Sequence, residues 1–600
     1  MTTDSASRPI LLGTYWAKHC PRRTHNEFDR TLPGRPEDFQ FSDAIQGRID
    51  AGRDFEGVVF AQLRALLGPL VVDVSGAGPE GPSAHVEATM LAMDKGALVI
   101  VGGRLPDDVA GGRSGKPDLL IRSADEGDWV NRFWPADIKN HKVIEGARKR
   151  ELLFSVISEP QFERGVVDGD RQARCREDDL MQLAHYWRML QACGREPSGD
   201  PRGAIVGADL VGEDQQHVFV WHDLDAETFP TFSRTAPSGS ALRSALQRHD
   251  YEHALRIKIA GVARQRSGGH DDPDPVVVPV FIDECDSCPW VESCIGSLDD
   301  DEASSNVGRL SAREWLALRA LGIGTVGELA VYEPEDVLRD PEEQSARTAE
   351  LLEGYLPEVS RANQPLKRLH AAIMCARMVE DDTTLKKVTS DSIAVPRANI
   401  EIDLDVENDR AGLIYLWGLH VTDRDSGRSW YEDVSSWEPL DGLAESELGL
   451  LCWQRLRALV DQAQAEGRTA LIYHYAHPEP NGLKRIAKDG LVAMMPAPAD
   501  VKTFIDEYFV DLLVFMRTNF FGRKGLGLKV VAGAGPEFEW RDEDPGGLQS
   551  QVWLDEVYNG ESQEVRRAAR QRVLDYNEDD VRATLAVRSW LTELDALYRN

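Results

Sequence analysis

Residues 399–437 have the sequence NIEIDLDVENDRAGLIYLWGLHVTDRDSGRSWYEDVSSW, in which three apolar runs are separated by turn residues. Strands favour Val, Ile, Tyr and Trp, whereas Asp, Asn and Gly favour the turns between them. In residues 445–467 the apolar residues recur at helical spacing, and TALIYHYAH at residues 469–477 is again strand-like. This order predicts an α/β unit, starting near residue 395, of three strands, a helix and a further strand.

Acidic side chains recur at regular positions in this unit. Asp405 and Glu407 are two residues apart in a predicted strand, so their side chains point to the same face. Tyr576 and Asp580 are four residues apart in the predicted last helix and share a face of it. Carboxylates gathered at one point repel one another unless a hard cation bridges them, which indicates Mg²⁺ or Mn²⁺. The candidate ligands are Asp405, Glu407, Glu479, Asp511 and Asp580.

The strand order of this unit resembles that of the RNase H-like fold, and its acidic pattern resembles the motifs of DEDD exonucleases. The matching motifs are D-x-E at Asp405 and Glu407, an acid at Glu479, and Y-x-x-x-D at Tyr576 and Asp580. The resemblance implies two Mg²⁺ ions for attack at a phosphodiester, with Tyr576 orienting the water. Glu479 departs from the Asp of the DEDD group. An RNase H-like domain that binds nucleic acid without cutting it is the alternative.

A second acidic pattern lies in the N-terminal half of the chain. The segments KPDLLI (116–121) and PADIKNHK (135–142) are predicted to form neighbouring strands. Adjacent strands bring Asp118 and Asp137 together, and Lys139 lies two residues beyond Asp137 on the same strand face. Two carboxylates again indicate Mg²⁺ or Mn²⁺, and a lysine beside the metal can orient or help deprotonate the attacking water. This site is expected to hydrolyse phosphodiesters.

Predicted helices flank these strands. The helix at residues 49–68 contains Glu56, a candidate third carboxylate. In the helix at residues 178–192, Gln182 and Tyr186 are four residues apart and share a face. Together with the strand motifs, these residues resemble the RecB-like PD-(D/E)xK nucleases, which have a restriction-endonuclease-like fold. The resemblance implies that Gln182 and Tyr186 contact nucleic acid or support the site, and this chain has Asp-x-Lys instead of the commoner Glu-x-Lys.

Four of the eight cysteines form a distinct group. DECDSCPWVESC places Cys285, Cys288 and Cys294 within ten residues, and Cys20 lies near the N-terminus. A C-x2-C step lets two thiolates point into one loop, as a metal or cluster requires. The arrangement resembles the iron–sulfur nucleases of the RecB-like class, in which a [4Fe–4S] cluster joins the two ends of the domain. Zn²⁺ on the same thiolates is the alternative, and the other cysteines are expected to be packing residues.

Between the two units, LSAREWLALRALGIGTVGELA (310–330) predicts two helices around a glycine turn. It resembles a helix–hairpin–helix element, whose turn, here with Gly322 and Gly324, presents backbone N–H groups to a phosphate. A small helical linker is the alternative. The predicted domains are residues 1–300, a RecB-like nuclease with iron–sulfur cysteines; 301–360, the helical module; 361–394, a connector; and 395–600, the RNase H-like unit.

The composition is that of a globular, acidic protein. Hydrophobic residues make up 42% of the 600 and charged residues 28%, and a chain this long exceeds what one core usually organises. The net charge of −33 argues against a general nucleic-acid coat, although local basic stretches such as residues 517–529 are present. Without a bilayer-spanning apolar run or a secretory signal, a cytoplasmic location and no membrane contact are expected.

The whole arrangement resembles a bacterial family in which a RecB-like nuclease with iron–sulfur cysteines precedes a YprB-type RNase H-like domain. Many members continue into a superfamily I helicase. Here the sequence has no G-x-x-x-x-G-K-[ST] loop, so a helicase partner is expected to be a separate chain. The resemblance implies a metal-dependent nuclease acting on DNA, or on RNA, in repair, recombination or defence. The alternative is a non-catalytic subunit that binds nucleic acid or serves as a scaffold.

Overall fold

The computed structural model divides the chain into two compact units. One comprises Met1–Ser42 and Arg48–Ala372, and the other comprises Asp43–Gly47 and Ile373–Asn600. The residues that the structure describes are 8–32, 39, 41, 43–124, 131–146, 151–212, 216–233, 235–236, 239–296, 307–359, 364–542 and 547–599. A division between the compact units falls after Ala372, and the predicted domain boundaries near residues 300, 360 and 394 stay predictions.

The N-terminal part mixes helices with short strands. Its elements are α1 (Pro21–Phe28), α2 (Asp43–Leu67), β1 (Val71–Asp73), α3 (Pro82–Asp94), β2 (Val99–Val101), β3 (Leu119–Arg122), β4 (Phe133–Ile138), β5 (Ile144–Gly146), β6 (Leu152–Val156), β7 (Val166–Asp168), β8 (Arg171–Ala173), α4 (Glu177–Ala192), β9 (Arg202–Val206), β10 (Val218–Asp223), β11 (Phe229–Phe232), β12 (Ser240–Arg243), α5 (Ala245–Ala263) and α6 (Val291–Ile295). The helices and strands predicted around Asp118 and Asp137 are confirmed at α2, β3, β4 and α4.

Eight of these strands form one mixed sheet in the order β1, β2, β3, β4, β9, β10, β6, β7. The strands β2, β3 and β4 are antiparallel neighbours, and β9 returns parallel to β4 after the α4 crossover. All six residues of β4 are buried, since α4 packs on β4 and β9. Trp134 of β4 stacks on Trp187 of α4 with ring centroids 5.7 Å apart. This aromatic pair fixes α4 over the strands that carry the N-terminal acids.

Four helices follow in the described stretch 307–359: α7 (Ala312–Ala320), α8 (Val326–Ala330), α9 (Pro334–Val337) and α10 (Ala346–Val359). The helices α7 and α8 flank the predicted glycine turn, where Gly322 has a φ of +81° that suits glycine. The N–H groups of Gly324 and Thr325 both donate to Glu328 Oε2, at 2.8 and 3.0 Å. An acidic side chain thus occupies N–H groups that were expected to face a phosphate, and phosphate binding at this turn has no structural support.

The C-terminal part begins with a long helix and continues as an α/β unit. Its elements are α11 (Pro365–Glu380), β13 (Leu385–Lys387), β14 (Ile400–Asn408), β15 (Ile414–Asp423), β16 (Arg428–Ser435), α12 (Gly442–Ala465), β17 (Ala470–His474), α13 (Pro478–Asp489), α14 (Pro498–Tyr508), β18 (Phe509–Asp511), α15 (Leu512–Asn519), β19 (Phe520–Gly522), α16 (Leu528–Ala534), α17 (Gly547–Asn559) and α18 (Gln563–Arg599). Among all the described helices of the chain, none combines the length and apolar character needed to span a membrane.

Five strands of the second unit form a sheet in the order β16, β15, β14, β17, β18. The first three strands in sequence are an antiparallel meander, and β17 and β18 add in parallel at the other edge. A parallel strand needs a crossover connection, which α12 supplies between β16 and β17. The predicted order of three strands, a helix and a strand is therefore confirmed.

The long helix α18 packs against β14 and β15. Val587 and Leu591 enter the apolar core beside the sheet. Between them lies Arg588, which is fully buried, donates to Asp403 of β14 from Nη2 at 2.7 Å and pairs with Glu401. A buried arginine with two carboxylate partners holds the helix in one register on the strand, because any shift would leave a buried charge unpaired.

Candidate active sites

In the second unit, part of the predicted acidic pattern becomes a compact cluster. Alternate residues of a strand point the same way, so β14 presents Asp405 and Glu407 on one face. The packing of α18 on that strand brings Asp580 to the same place. One oxygen atom from each of these three carboxylates lies within 4.8 Å of those of the other two. We call Asp405, Glu407 and Asp580 the acidic cluster.

Burial hinders simultaneous ionisation of the acidic cluster. Burial raises the pKa of Asp405, and the charges of Asp580, Glu407 and Glu479 raise it further. Burial and Asp580 also raise the pKa of Glu407 to about 8. A divalent cation would remove this repulsion, and carboxylate oxygens are the ligands that Mg²⁺ and Mn²⁺ prefer. The donor set therefore fits such an ion.

Glu479 lies beside the acidic cluster, in the first turn of α13. It is 2% exposed, and its charge acts on Asp405. Its Oε2 and the Nδ1 of His474 are buried 3.6 Å apart, and neither has a hydrogen-bond partner among the described residues. A buried carboxylate oxygen whose nearest polar partner is this long contact to His474 is poorly compensated, so this oxygen is suited to a cation.

Asp511 lies next to Glu479 but forms local backbone contacts. Its Oδ1 accepts hydrogen bonds from the backbone N–H groups of Leu513 at 2.9 Å and Ala476 at 3.1 Å. These contacts cap α15 and close the turn after β17. The charge of Asp511 raises the pKa of Glu479, after the larger effect of burial. Asp511 lies outside the acidic cluster, and its role as a metal ligand stays a prediction.

Tyr576 lies one helical turn before Asp580, as the sequence predicts. Lys529 of α16 donates to the Tyr576 hydroxyl at 2.7 Å, and Trp540 Nε1 donates to Asp580 Oδ1 at 2.7 Å. Burial, followed by the charge of Asp580, raises the pKa of Tyr576, so its hydroxyl stays protonated at neutral pH. Lys529 and Trp540 carry no spacing signal in the sequence, because only the packing of residues 528–542 against α18 brings them to the acids.

Asp118 and Asp137 lie side by side in the first unit. The register of β3 and β4 sets Leu119 opposite Ala136, which brings Asp118, just before β3, opposite Asp137. Asp118 Oδ2 accepts a hydrogen bond from the Ile138 N–H at 2.8 Å. Burial raises the pKa of Asp118, and the neighbouring Asp137 raises it further. The two carboxylates predicted to meet across adjacent strands do so.

Lys139 follows β4 and forms an ion pair with Asp137. Gln182 of α4 contacts both: Lys139 Nζ donates to its Oε1 at 3.2 Å, and its Nε2 donates to Asp137 Oδ1 at 3.1 Å. The Gln182 amide also lies 3.4 Å from the Tyr186 hydroxyl, which donates to the Lys116 carbonyl at 2.8 Å. Burial lowers the pKa of Lys139, but the charge of Asp137 outweighs it and raises the pKa overall. Lys139 is therefore held charged at the acids.

Glu56 of α2 lies near the same groups. Burial raises the pKa of Glu56, and the charge of Asp137 adds to that shift. Two side chains without a sequence signal also reach this site. Lys18 Nζ donates to Gln182 Oε1 at 3.1 Å and lies 5.0 Å from the centroid of the Tyr15 ring. Both belong to the irregular segment before α1, which has no periodicity from which their position could be predicted.

The four grouped cysteines lie near one another in the first unit. Cys20 immediately precedes α1, and Cys294 lies in α6. Asn26 Nδ2 donates to Cys294 Sγ at 3.3 Å, and a backbone N–H donates to Cys285 Sγ at 3.4 Å. Burial raises the pKa of the Cys285 thiol, and the sulfurs of Cys20, Cys288 and Cys294 raise it further. N–H donors to sulfur are typical of metal-bound thiolates, but these cysteines are not among the groups of described side chains whose ligand atoms all lie within 4.8 Å of one another, so a metal or cluster here stays a prediction.

Residues 402–592 match the family model of the RNase_H superfamily, and the match lies within the second unit. The comparison with curated proteins has no match, and the comparison with solved structures has none either. The unit that contains the acidic cluster is therefore an RNase H-like domain, a fold that is commonly that of a metal-dependent nuclease and usually binds Mg²⁺ or Mn²⁺. The RecB-like and iron–sulfur assignments of the first unit stay predictions.

Proposed function

We propose that the chain is a metal-dependent nuclease that hydrolyses DNA phosphodiester bonds, in single strands or at ends, in repair, recombination or defence. The observation that carries the proposal is the acidic cluster inside an RNase H-like domain. Like charges gathered in a buried place cost folding free energy, so their presence points to a bound cation and to a functional role.

In the RNase H-like domain, the carboxylates are suited to Mg²⁺ or Mn²⁺. The proposed ligands are Asp405, Glu407, Glu479 and Asp580. A bound ion would supply Lewis-acid polarisation of the phosphate and a more acidic water. Tyr576 offers a protonated hydroxyl one helical turn from Asp580, where it can orient a water. Lys529 holds that hydroxyl by its 2.7 Å hydrogen bond.

The first unit carries a second proposed site, of the PD-(D/E)xK type. Its ligands are Glu56, Asp118 and Asp137. Lys139 stays charged beside Asp137 and can turn toward a water or a phosphate oxygen when a cation takes over that carboxylate. Gln182 and Tyr186 support the site from α4, through the contacts to Asp137, Lys139 and the Lys116 carbonyl. The order α2, β2–β4 meander, α4 and β9 supports the restriction-endonuclease-like assignment.

The four grouped cysteines are proposed to hold a [4Fe–4S] cluster, with Zn²⁺ as the alternative. The cluster joins α1 to the segment around α6 and has no hydrolytic role. Iron and sulfide content and visible absorption of anaerobically purified protein test this, with Cys294→Ala as the variant and Cys193→Ala as the control. Iron lost only in Cys294→Ala supports the cluster. Zinc lost in the same way supports the alternative, and equal metal content in both variants contradicts either centre.

Cleavage of end-labelled single-stranded and duplex DNA with Mg²⁺ or Mn²⁺ tests the main proposal. The chain is compared with Asp405→Asn and Asp137→Asn, which keep the size of each side chain while removing its charge. Asp461→Asn, at an exposed position of α12, is the matched control and should cut like the unchanged protein. An RNA of the same sequence, run in parallel, decides between DNA and RNA.

The outcomes separate the two sites. Cutting lost only in Asp405→Asn assigns the activity to the RNase H-like domain, and cutting lost only in Asp137→Asn assigns it to the first unit. An unchanged protein that cuts nothing with either metal contradicts the proposal. In that case, salt-sensitive DNA binding would assign the chain to a scaffold subunit, for example of a separate helicase.

A further inference from the structure

Three buried histidines face one another where α4 packs against α5 in the first unit. His185 belongs to α4, and His249 and His253 belong to α5. None of them is more than 2% exposed. One ring nitrogen from each lies within 4.8 Å of those of the other two. We call these residues the histidine triad; none of them belongs to the carboxylate sites or the cysteine group.

The outer ring nitrogen of each histidine faces a group that can only accept a hydrogen bond. His185 Nε2 and His253 Nε2 donate to backbone carbonyl oxygens, at 3.0 and 2.9 Å. His249 Nδ1 lies 3.3 Å from Oδ1 of Asp250, whose carboxylate is also paired with arginine. A neutral imidazole carries one N–H, so these contacts assign that proton to the outer nitrogen in each of the three rings.

The other ring nitrogen of each histidine, which faces the centre of the triad, then carries a lone pair and no proton. His185 Nδ1 and His249 Nε2 lie 3.1 Å apart, and His253 Nδ1 has no hydrogen-bond partner among the described residues. Burial lowers the pKa of all three imidazoles, which keeps the rings neutral. Inward lone pairs combined with outward N–H groups bound to carbonyl or carboxylate oxygens are the arrangement of histidines that ligate a metal.

We propose that His185 Nδ1, His249 Nε2 and His253 Nδ1 bind a transition-metal ion, Zn²⁺, at a three-histidine centre separate from both carboxylate sites. Imidazole nitrogens suit Zn²⁺, whereas Mg²⁺ takes oxygen ligands. A hydrogen bond between His185 and His249 is the competing arrangement. It would remove the proton from one outer nitrogen and leave the lone pair of that nitrogen facing a carbonyl or carboxylate oxygen. The repulsion between two inner lone pairs would thus be replaced by a repulsion at the outer nitrogen.

The charges around the histidine triad are balanced. Arg113 and Arg188 lower the pKa of His249 and would by themselves oppose a cation. Arg113 is paired with Asp108 at 2.8 Å, and Arg188 Nε is paired with Asp250 Oδ1 at 3.1 Å. Each arginine therefore has an acidic partner that offsets its positive charge. The net charge around the triad does not oppose a bound metal ion.

A metal at the histidine triad would tie three parts of the first unit together. The two carbonyl acceptors belong to Gly111 and Ser114, in the loop that leads to Asp118. The triad thus fastens this loop to α4 and α5, and His185 lies between Gln182 and Tyr186 in the sequence of α4. The bound metal ion is expected to stabilise the fold of the first unit and to take no direct part in hydrolysis.

Metal titration of the full, tag-free chain tests the proposal without any activity assay. The protein is stripped with a chelator and titrated with Zn²⁺ and with Co²⁺, whose visible spectrum reports its ligands. His253→Phe keeps an aromatic ring but removes one lone pair. His217→Phe is the matched control, because His217 is also buried and bonds a backbone carbonyl, of Gly207 at 3.1 Å, but lies outside the triad.

The expected result is about one Zn²⁺ bound through the triad, lost in His253→Phe and kept in His217→Phe. Affinity should fall about 100-fold or more, since losing even an outer-shell partner can cost that much. Cobalt at the triad should give d–d bands without thiolate charge-transfer absorption, which separates it from the cysteines. Equal metal binding in the unchanged chain and His253→Phe overturns the proposal. Because His253→Phe could misfold, a stripped unchanged chain that binds cobalt only with thiolate bands overturns it independently.

Discussion

Asn577 Nδ2 of α18 donates a hydrogen bond to Asp405 Oδ2 of β14 at 2.9 Å. The other end of the same amide is also held, since the Tyr431 hydroxyl donates to Asn577 Oδ1 at 2.9 Å. Gly418 makes this possible, because a Cβ atom there would lie 1.6 Å from Asn577 Oδ1. A glycine on β15 and an asparagine on α18 therefore orient one carboxylate of the acidic cluster.

Replacing Asn577 by leucine should lower cleavage by the RNase H-like domain about 10- to 100-fold, as is typical when a group that orients a metal ligand is lost. The reason is that Asp405 loses the donor that fixes its carboxylate. The measurement is the Mn²⁺-dependent rate in a Lys139→Ala background, so that the proposed site of the first unit does not contribute. Gln571→Leu is the control on the same helix, since its amide bonds Asp575, which lies outside the acidic cluster, and full activity in Asn577→Leu would refute the positioning role.

Gly418→Ala should reproduce the effect of Asn577→Leu, because the new methyl group would force the Asn577 amide away from Asp405. The two changes act through one contact, so the double variant should be no slower than the worse single variant. A double-mutant cycle on the cleavage rate measures this. Additive losses would show that Gly418 matters for some other reason, such as the fold of β15.

Arg588→Met should destabilise the second unit by about 3–5 kcal/mol, because Asp403 would be left as a buried charge without its partner and Glu401 would keep Arg397 but lose Arg588. The midpoint of the urea transition, followed by tryptophan fluorescence, measures the change. Arg582→Met is the control, since its pair with Glu578 on the same helix is half-exposed and worth about 1 kcal/mol or less. Equal effects of the two substitutions would contradict the structural importance of the buried pair.

Gln182→Leu should lower cleavage by the proposed site of the first unit about 10- to 100-fold. Its amide contacts Lys18, Lys139 and Asp137, and leucine can make none of these hydrogen bonds. The rate is measured in an Asp405→Asn background. Gln191→Leu, at an exposed position of α4, should leave the rate unchanged, and a matching loss there would point to damage of the helix instead.

His25 should make the first unit less stable in acid. Burial, with the charge of Arg22, lowers the pKa of His25 from 6.5 to about 4. The unfolded chain therefore binds a proton between these pH values that the folded chain does not, and stability falls as the pH drops through this window. The loss attributable to His25 is about 3 kcal/mol.

His25→Gln should flatten the acid side of the stability profile, measured by urea titrations from pH 7 to pH 4. His270→Gln is the control, because the His270 ring is fully exposed and its loss removes no buried imidazole. Other buried histidines add slopes of the same sign, so the quantity compared is the difference between each variant and the unchanged chain. An identical slope in His25→Gln would contradict the prediction.

Local periodicity was enough to predict the elements that carry the acids. Alternation in NIEIDLDVEN put Asp405 and Glu407 on one strand face, and helical spacing put Tyr576 and Asp580 on one helix face. Both are properties of a few neighbouring residues and need no knowledge of the fold. Lys529 carries no such pattern, because its place beside Tyr576 depends on how α16 packs against α18.

In the first unit, too, some features follow from the sequence pattern and others depend on tertiary packing. The strand register that sets Asp118 opposite Asp137 was accessible from two β-rich segments and the distance between them. The contact of Lys18 with Gln182 joins residues 164 apart through an irregular segment, which no periodicity describes. The phosphate-binding expectation for the glycine turn at Gly324 lost its support because the Glu328 side chain folds back onto the turn, a choice that the backbone pattern does not reveal.

From the sequence alone follow the α/β class, the strand order of the second unit and the pairs of acids that share a face, since these depend on short-range spacing. The tertiary structure decided which acids meet, with Asp580 joining Asp405 while Asp511 caps α15. It also decided the histidine triad, because His185 and His249 lie on different helices. Such contacts arise when the apolar faces of helices and strands pack together. That packing also positions the polar side chains on the same elements, and no local sequence pattern predicts where they meet.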